Sequence, residues 1–371
     1  MHFDVLIAGA GPAGAAAAIS LADFAPALRV CIVDVPQADT LRVGETLPPQ
    51  IKPILEHLKV WQAFEADGHR PSYRTVSAWG GPEPLSNEFL FQAHQVGWRL
   101  DRARFDAMLL RKAAERATHV TAKVTRAAHD GAWCVRLDDG SDMTARFLID
   151  ATGRGAMLAR RNGVRFENLD RLVGSIMLFE RAADDGAGLL IETFPDGWWY
   201  TAALPDGRRI VAAMSDADLI RSLNLNRLDG FMRALGATRH VCGAVADARP
   251  VGAPVLQPAG SRHIVHDTPL PLLCVGDAAS CFDPVSGQGL FKALRSGIFA
   301  AYAIGDLLCR DDDTGLKRYQ RFIADEFSGY RKTLRAYYAM EQRWADRVFW
   351  KRRVADTTRK IDAPIEVALS V

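Results

Sequence analysis

The sequence predicts an α/β fold with a parallel sheet, an inserted antiparallel sheet and a helical C-terminal region. The parallel sheet follows from two short apolar runs, 5–8 and 30–33, on either side of a glycine turn and an alanine-rich segment. The antiparallel sheet follows from apolar runs between 172 and 214 that are joined by Pro-Asp-Gly turns. With 371 residues, the chain is expected to hold either two domains or one domain with a large insertion.

The first glycine turn runs from Gly9 to Gly14 and has the features of a dinucleotide-binding unit. Gly9 permits a sharp turn, Gly11 lets the backbone approach a pyrophosphate, and Gly14 allows helix and strand to pack closely. The helix that follows directs free N–H groups and a favourable dipole toward phosphates. Asp34 ends the second strand, where a carboxylate can accept hydrogen bonds from a ribose hydroxyl. We therefore predict a Rossmann-like unit that binds a dinucleotide.

The composition is that of an ordinary globular protein, with 49% hydrophobic and 24% charged residues. A formal net charge of +2 gives no general attraction to nucleic acid or to an anionic membrane. The six cysteines are scattered without a CxxC pair, so we expect free thiols, no metal site and a cytoplasmic location. We expect no stable membrane insertion, because no stretch is apolar for long enough.

A stiff, proline-rich loop over 44–49 precedes apolar residues at helical spacing over 51–61. One interpretation is a connection that feeds a surface helix, and the other is a strap that lies along a bound ligand. The residues available to such a strap are Arg42, Glu45 and Thr46. A second helix is predicted over 100–117. Arg102 lies at its start, where acidic residues are usual, so it indicates either an anionic partner or a solvated arginine.

A second glycine turn lies between Gly276 and Gly289, after a predicted buried strand and before a predicted helix. Asp277 can hold polyol hydroxyls, and the glycines expose N–H groups that suit a phosphate or a negatively charged ring carbonyl. Another strand runs into Asp150–Gly153, as expected at the ligand-binding edge of a doubly wound sheet. The two glycine turns together predict a site for both ends of one dinucleotide.

The region from 168 to 249 differs in kind. Strands are predicted over 172–180, 189–194, 198–204 and 209–214, with a helix over 219–235. The aromatic run 198–200 forms either core or the wall of a pocket.

The arginine- and aromatic-rich segment 314–353 is either a solvated helical cap or a docking surface for a macromolecular client. We assign 1–70, 99–165 and 270–310 to the dinucleotide domain, 71–98 and 166–269 to a substrate domain, and 311–371 to a C-terminal helical region.

Three fingerprints, in this order, resemble the FAD-dependent monooxygenases of the para-hydroxybenzoate hydroxylase fold and the related flavin halogenases and polyprenyl reductases. They are Gly9–Gly14 with Asp34, Asp150–Gly153, and Gly276–Gly289. The resemblance implies a Rossmann-like FAD-binding domain with contacts from Gly9, Gly11, Ala13, Gly14, Asp34, Arg42, Glu45, Arg102, Val124, Asp277, Pro284, Gly287, Gly289 and Leu290. Only one dinucleotide fingerprint is present, so the resemblance implies that NAD(P)H binds transiently or that a separate reductase supplies electrons.

Shorter segments resemble a subgroup of flavoproteins that hydroxylate a tryptophan within a protein or peptide on the way to cysteine tryptophylquinone. They are Val43–Pro49, Ser77–Gly80, Gly97–Arg102, Gly197–Tyr200 and Phe349–Arg353. The resemblance implies a monooxygenase that acts through a flavin C4a-hydroperoxide on an aromatic substrate. The substrate it implies is a tryptophan or indole, either as a small molecule or as part of a protein or peptide client. Glu45 and Asp283 flank the flavin in family terms and are the candidate catalytic residues.

Other activities stay open under the same resemblance. Halogenases need a lysine near the substrate, whereas the comparable stretch here is Tyr73-Arg74-Thr75-Val76. The run from Trp198 to Pro205 also departs from the halogenase Trp-x-Trp-x-Ile-Pro, so hydroxylation is the preferred hypothesis. The remaining alternatives are a small-molecule aromatic hydroxylase, a flavin reductase like the polyprenyl reductases, and a flavin-binding protein without redox turnover.

Overall fold

The computed structural model describes residues 1–35, 43–180 and 188–354. The strands are β1 (His2–Ala8), β2 (Val30–Asp34), β3 (Thr46–Leu47), β4 (Arg70–Ser72), β5 (Arg74–Ala78), β6 (Leu85–Glu88), β7 (Gly97–Arg99), β8 (Thr118–Thr121), β9 (Val124–Asp130), β10 (Ala132–Leu137), β11 (Asp142–Asp150), β12 (Arg165–Asn168), β13 (Leu172–Glu180), β14 (Leu189–Phe194), β15 (Gly197–Ala203), β16 (Arg209–Asp216), β17 (Arg249–Pro258), β18 (Arg262–His266), β19 (Leu272–Cys274) and β20 (Ser280–Cys281). The helices are α1 (Pro12–Phe24), α2 (Ile51–His57), α3 (Trp61–Ala66), α4 (Arg102–Ala114), α5 (Met157–Arg161), α6 (Ala217–Ser222), α7 (Leu228–Gly236), α8 (Gly289–Arg310), α9 (Thr314–Ala339) and α10 (Val348–Val354). The predicted α/β fold class is confirmed.

The first sheet has the strand order β8-β2-β1-β11-β10-β9, with β19 also paired to β11. The strands β8, β2, β1, β11 and β19 run parallel, and β10 and β9 extend the sheet as an antiparallel hairpin. The central strands are apolar and buried toward their C-terminal ends, over 5–8 in β1 and 147–149 in β11, because helices cover the sheet there. Helices α1 and α8 pack closely, since a Cβ on Gly297 would lie 2.2 Å from the carbonyl oxygen of Ala13.

The second sheet has the order β17-β13-β16-β15-β14-β5-β6, and its pairs are antiparallel except for β14 with β5. Strands β5 and β6 come from the segment 71–98 and join strands of the region 166–269 in this sheet. The predicted helix over 219–235 is two helices, α6 and α7, because Asn224 has a φ of 55° in the turn between them. The helix predicted over 51–61 is likewise interrupted, with Lys59 at a φ of 57°.

The C-terminal helices cap the second sheet, but their aromatic side chains are packed and not solvated. The buried aromatic residues of this region are Tyr319, Phe327, Tyr330, Tyr338, Phe349 and Trp350. The indole N–H of Trp350 donates to the carbonyl oxygen of Phe194 at 3.1 Å. The helices are amphipathic, but not all arginines of this region lie toward solvent, since Arg343 pairs with the buried Glu341 at 2.6 Å. Within the described ranges, no helix is long and apolar enough to cross a membrane.

Candidate active site

The first glycine turn has the backbone geometry that a dinucleotide requires. Gly9 has a φ of 107°, and a Cβ there would lie 2.4 Å from the carbonyl oxygen of Ala151. A Cβ on Gly14 would lie 2.0 Å from the carbonyl oxygen of Gly9, so both positions need glycine. Gly11 faces open space, and the start of α1 has no side-chain cap. The turn therefore presents uncapped N–H groups where a pyrophosphate fits.

The second glycine turn lies directly against the first. Gly276 has a φ of 60°, and a Cβ there would lie 2.8 Å from the Cβ of Ala13. Gly287 has a φ of 61° and faces open space, as does Gly289 at the start of α8. Two backbone turns that are about 260 positions apart in the chain thus form one continuous surface.

Arg102 anchors the strap formed by residues 43–49. Its guanidinium donates to the carbonyl oxygen of Val43 and, at 3.4 Å, to that of Gly44. It also lies 3.2 Å from the carboxylate of Asp106, so the anionic partner expected for Arg102 is intramolecular in this structure. This anchoring places the strap, and with it Glu45, at the wall of a cavity.

Two further predicted cofactor residues lie outside that cavity wall. Asp34 ends β2 next to β1, the position expected for a ribose contact. Val124 is buried in the hydrophobic core, so its side chain is not available to a ligand in the cavity. Arg42 lies outside the described residues. The role of these residues in FAD binding stays a prediction.

A cavity of about 270 Å³ lies between the strap, the second glycine turn and the second sheet. The predicted site residues in its wall are Glu45, Asp277, Asp283, Pro284, Gly287, Gly289 and Leu290. Residues in the wall that sequence reasoning did not single out include Arg154, Ile176, Met214 and Phe282. The second sheet supplies part of the wall from side chains on one face of its strands, which no local pattern identifies.

The aromatic run on β15 serves both as core and as pocket wall, because successive side chains point to opposite faces. Trp198 and Tyr200 line the cavity. Trp199 packs on the other face, where its ring is 5.0 Å from that of Phe231. Trp199 therefore belongs to the core, whereas Trp198 and Tyr200 form part of the pocket wall.

Glu45 and Tyr200 form a buried polar pair in the wall. Glu45 is 4% exposed, and its carboxylate accepts the backbone N–H of Gly44 at 2.8 Å. Burial raises the pKa of Glu45, against the opposing effects of that hydrogen bond and of Arg102. The hydroxyl of Tyr200 lies beside the carboxyl group and has no partner at full hydrogen-bond geometry within the described residues. The two groups thus interact within the wall, and the Tyr200 hydroxyl is buried there.

Asp283 is held by residues from distant parts of the chain. The hydroxyl of Tyr338 donates to Oδ2 at 2.7 Å, and the backbone N–H of Val285 donates to Oδ1 at 2.9 Å. The indole N–H of Trp198 donates to the Tyr338 hydroxyl at 3.0 Å. Burial raises the pKa of Asp283 to about 7, and the negative charge of Asp170 acts in the same direction. Asp283 can therefore gain or lose a proton near neutral pH.

Asp277 has a different electrostatic environment, with its carboxylate 2.9 Å from the Nζ of the buried Lys292. Burial alone would raise the pKa of Asp277, but the charges of Lys292, Arg154 and Arg262 hold it below its usual value. Lys292 also donates to the carbonyl oxygen of Ser280. Asp277 thus stays ionised at the cavity wall, as an acceptor for hydroxyl groups requires.

The position compared with the halogenase lysine lies outside the cavity wall. Arg74, the residue compared with the halogenase lysine, is 3.7 Å from Glu88 on the neighbouring strand and is not part of the cavity wall. The comparison at that position therefore carries no information about the pocket. The wall itself contains no lysine among the described residues.

The chain is similar to several known flavoproteins. The lycopene cyclase protein family matches residues 4–167. LodB of Marinomonas mediterranea, a putative FAD-dependent oxidoreductase, is 29% identical over 364 residues, which cover 95% of this chain and 97% of the relative. A myxobacterial chondrochloren halogenase, a variant of the FAD-dependent halogenases, superposes with a TM-score of 0.85 at 23% identity, over 95% of this chain and 86% of that one.

A further similarity concerns the peptidyl tryptophan dihydroxylase QhpG, which is essential for tryptophylquinone cofactor biogenesis. Its structure matches with a TM-score of 0.73 at 27% identity, over 95% of this chain and 79% of that one. The chain therefore has the fold shared by flavin-dependent halogenases and oxidoreductases.

Proposed function

We propose that this FAD-dependent oxidoreductase is a monooxygenase that hydroxylates an aromatic ring, an indole or tryptophan side chain, free or within a polypeptide. The observation that carries the proposal is the composition of the cavity wall. Trp198, Tyr200 and Phe282 supply an aromatic surface, Glu45 and Asp283 supply two buried carboxyl groups, and no described lining residue is a lysine.

The site fits FAD on structural grounds. The open space at Gly11 and at the start of α1 suits a pyrophosphate, and the ionised Asp277 suits polyol hydroxyls. Gly287 and Gly289 expose backbone toward the cavity where a flavin ring would lie. When bound and reduced, FAD supplies the two electrons that activate O2.

The protein's own contribution is binding, exclusion of water and proton handling. Aromatic and aliphatic side chains pack against a flat ring and keep water from the reacting atoms. In a hydroxylation, one oxygen atom of O2 replaces the hydrogen of a ring carbon, and the other leaves as water. The ring carbon must lose its proton, and a carboxylate of raised pKa is a suitable acceptor. Asp283, whose pKa is about 7, meets this requirement, and Glu45 with Tyr200 can orient the ring nitrogen or hydroxyl.

Halogenation is the second candidate, because solved halogenases share the fold at high TM-scores. Because their sequence identity is low, they indicate a shared fold and not a shared reaction. Halogenation is disfavoured because the described cavity wall holds no lysine. The buried Lys292 does not supply one, since its Nζ is bound to Asp277 and Ser280.

The test is product analysis under heavy-isotope O2. The FAD-loaded protein, kept reduced by a flavin reductase with NADH, is given N-acetyl-tryptophanamide or a tryptophan-containing peptide, with and without bromide. We expect heavy oxygen in the product regardless of bromide. A brominated product would show a halogenase, and oxygen-independent reduction of an added alkene would show a reductase.

Two variants test whether the buried carboxyl groups of the cavity take part in the reaction. Asp283→Asn and Glu45→Gln remove the two buried carboxyl groups with little change in shape, and we expect at least about a hundredfold loss of product from one of them. Glu56→Gln, on the exposed side of α2, is the matched control and is expected to retain full activity. Full activity in both cavity variants would contradict the assigned proton-handling role.

A further inference from the structure

A second cavity adjoins the first and is rich in arginine. It is a groove of about 630 Å³, and the cationic residues in its wall are Arg154, Arg171 and Arg262. Arg154 and Pro258 belong to the walls of both cavities. These shared residues make the two cavities neighbours, so a ligand that spans them would place different chemical groups in each.

Arg262 is 3% exposed, yet its hydrogen bonding is incomplete. One Nη donates to the backbone carbonyl of Arg154 and the other to that of Asp277, at 3.0 Å. Its guanidinium carbon lies 4.4 Å from the ring centroid of Phe166. The Nε atom is buried without a partner in the described part of the chain. The Arg262 guanidinium is thus bonded to backbone carbonyls and is not directly paired with a carboxylate, as a buried guanidinium usually is.

The groove's own carboxylate forms no ion pair with these arginines in the described part of the chain. Asp170 lies in the wall, but its Oδ1 accepts the backbone N–H of Leu172 at 2.9 Å and its Oδ2 accepts that of Ser261 at 3.0 Å. Among residues 1–35, 43–180 and 188–354, no carboxylate lies within ion-pair distance of Arg154, Arg171 or Arg262. Three guanidinium groups thus face one groove with a surplus of positive charge.

We infer that the aromatic substrate carries a carboxylate, which binds in this arginine groove while the ring lies in the adjoining cavity. Guanidinium groups bind carboxylates through paired N–H donors, and the exposed Arg171 and the half-buried Arg154 leave such donors accessible. The inference rests on the proposed function, because it specifies the substrate of that site. The carboxylate belongs either to a small aromatic acid or to an acidic residue beside the tryptophan of a polypeptide.

The test is calorimetric titration of the FAD-loaded protein with matched pairs of ligands. Indole-3-acetate, -propionate and -butyrate are each compared with the corresponding amide, and N-acetyl-Trp-Asp-amide is compared with N-acetyl-Trp-Asn-amide. We expect the charged member of at least one pair to bind at least about tenfold more tightly. The indole acids and the dipeptides distinguish the two sources of the carboxylate. The preference should decrease with added salt.

Arg171→Gln tests the groove directly, because this side chain is exposed and makes no hydrogen bond among the described residues. We expect the preference for the charged ligand to fall by about two- to fivefold, and further in Arg171→Glu. Arg126→Gln makes the same charge change on the exposed side of β9, and the preference should stay as in the wild type.

Three results would overturn the inference: equal affinity within every pair, a preference that Arg171→Gln and Arg171→Glu leave unchanged, or Arg171-dependent binding of inorganic pyrophosphate alone. The last result would make the groove a phosphoryl site. These measurements need no turnover, so they are separable from the test of the proposed function. A carboxylate preference without heavy-oxygen incorporation would refute hydroxylation and leave the groove assignment intact.

Discussion

Asp283→Asn should remove a pH-dependent loss of stability that the wild type shows between about pH 4 and pH 8. The pKa of Asp283 is raised from 3.8 to about 7 by burial, so the folded state favours the protonated carboxyl group. Its stabilising contribution is fully present below pH 4 and is lost as the pH rises through 7. The rise in pKa corresponds to about 4 kcal/mol, because each pKa unit is worth about 1.4 kcal/mol. Asparagine cannot ionise, so the variant lacks this loss.

The assay is urea denaturation of both proteins at half-unit steps from pH 4 to pH 8, followed by tryptophan fluorescence. We expect the free energy of unfolding of the wild type to decline by up to about 4 kcal/mol relative to Asp283→Asn across that range. Asp325→Asn, an exposed substitution on α9, should follow the wild type. Parallel stability curves for the wild type and Asp283→Asn would refute the environment described for this carboxyl group.

Two substitutions, each with a matched control, test the packing that supports the site. Trp350→Ala should lower the free energy of unfolding by about 3–5 kcal/mol, because the indole is fully buried. The control, Val348→Ala on the exposed side of α10, should lower it by less than about 1 kcal/mol. Equal losses in these two variants would contradict the buried position of α10. Arg343→Met leaves the carboxylate of Glu341 buried without its cation and should cost about 3–5 kcal/mol, which a thermal melt would detect. Arg347→Met breaks an exposed pair and should cost at most about 1 kcal/mol.

Local patterns made the glycine turns and most strands of the second sheet predictable. The spacing of Gly9, Gly11 and Gly14 is a local signal, so the turn could be predicted without knowing that Ala151, in a distant segment, packs against Gly9. The strands predicted over 172–180 and 189–194 have the bounds of β13 and β14, because alternating apolar residues and turn residues are also local signals.

Contacts between distant segments could not be predicted in this way. Tyr338 donates to Asp283 across 55 positions, and nothing in the spacing of α9 marks one tyrosine as a partner for a carboxyl group. The pairing of Glu45 with Tyr200 likewise depends on how the strap lies against β15. Arg102 was expected either to meet an anionic partner or to be solvated, and Asp106, one turn later on α4, is close enough to pair with it. Tertiary packing decides the first two contacts, whereas the third lies within one helix.

Titration with FAD tests the central claim, that the two glycine turns bind one FAD molecule. The measurement compares the wild type, Gly11→Ala and the control Gly236→Ala by quenching of flavin fluorescence. Gly11 has open space around it and a φ of −65°, so alanine is compatible with the fold but would place a methyl group where the pyrophosphate lies. We predict saturable binding by the wild type and the control, and at least about tenfold weaker binding by Gly11→Ala, which is about 1.4 kcal/mol. Absence of FAD binding by the folded wild type, or equal affinity in all three proteins, would contradict the claim.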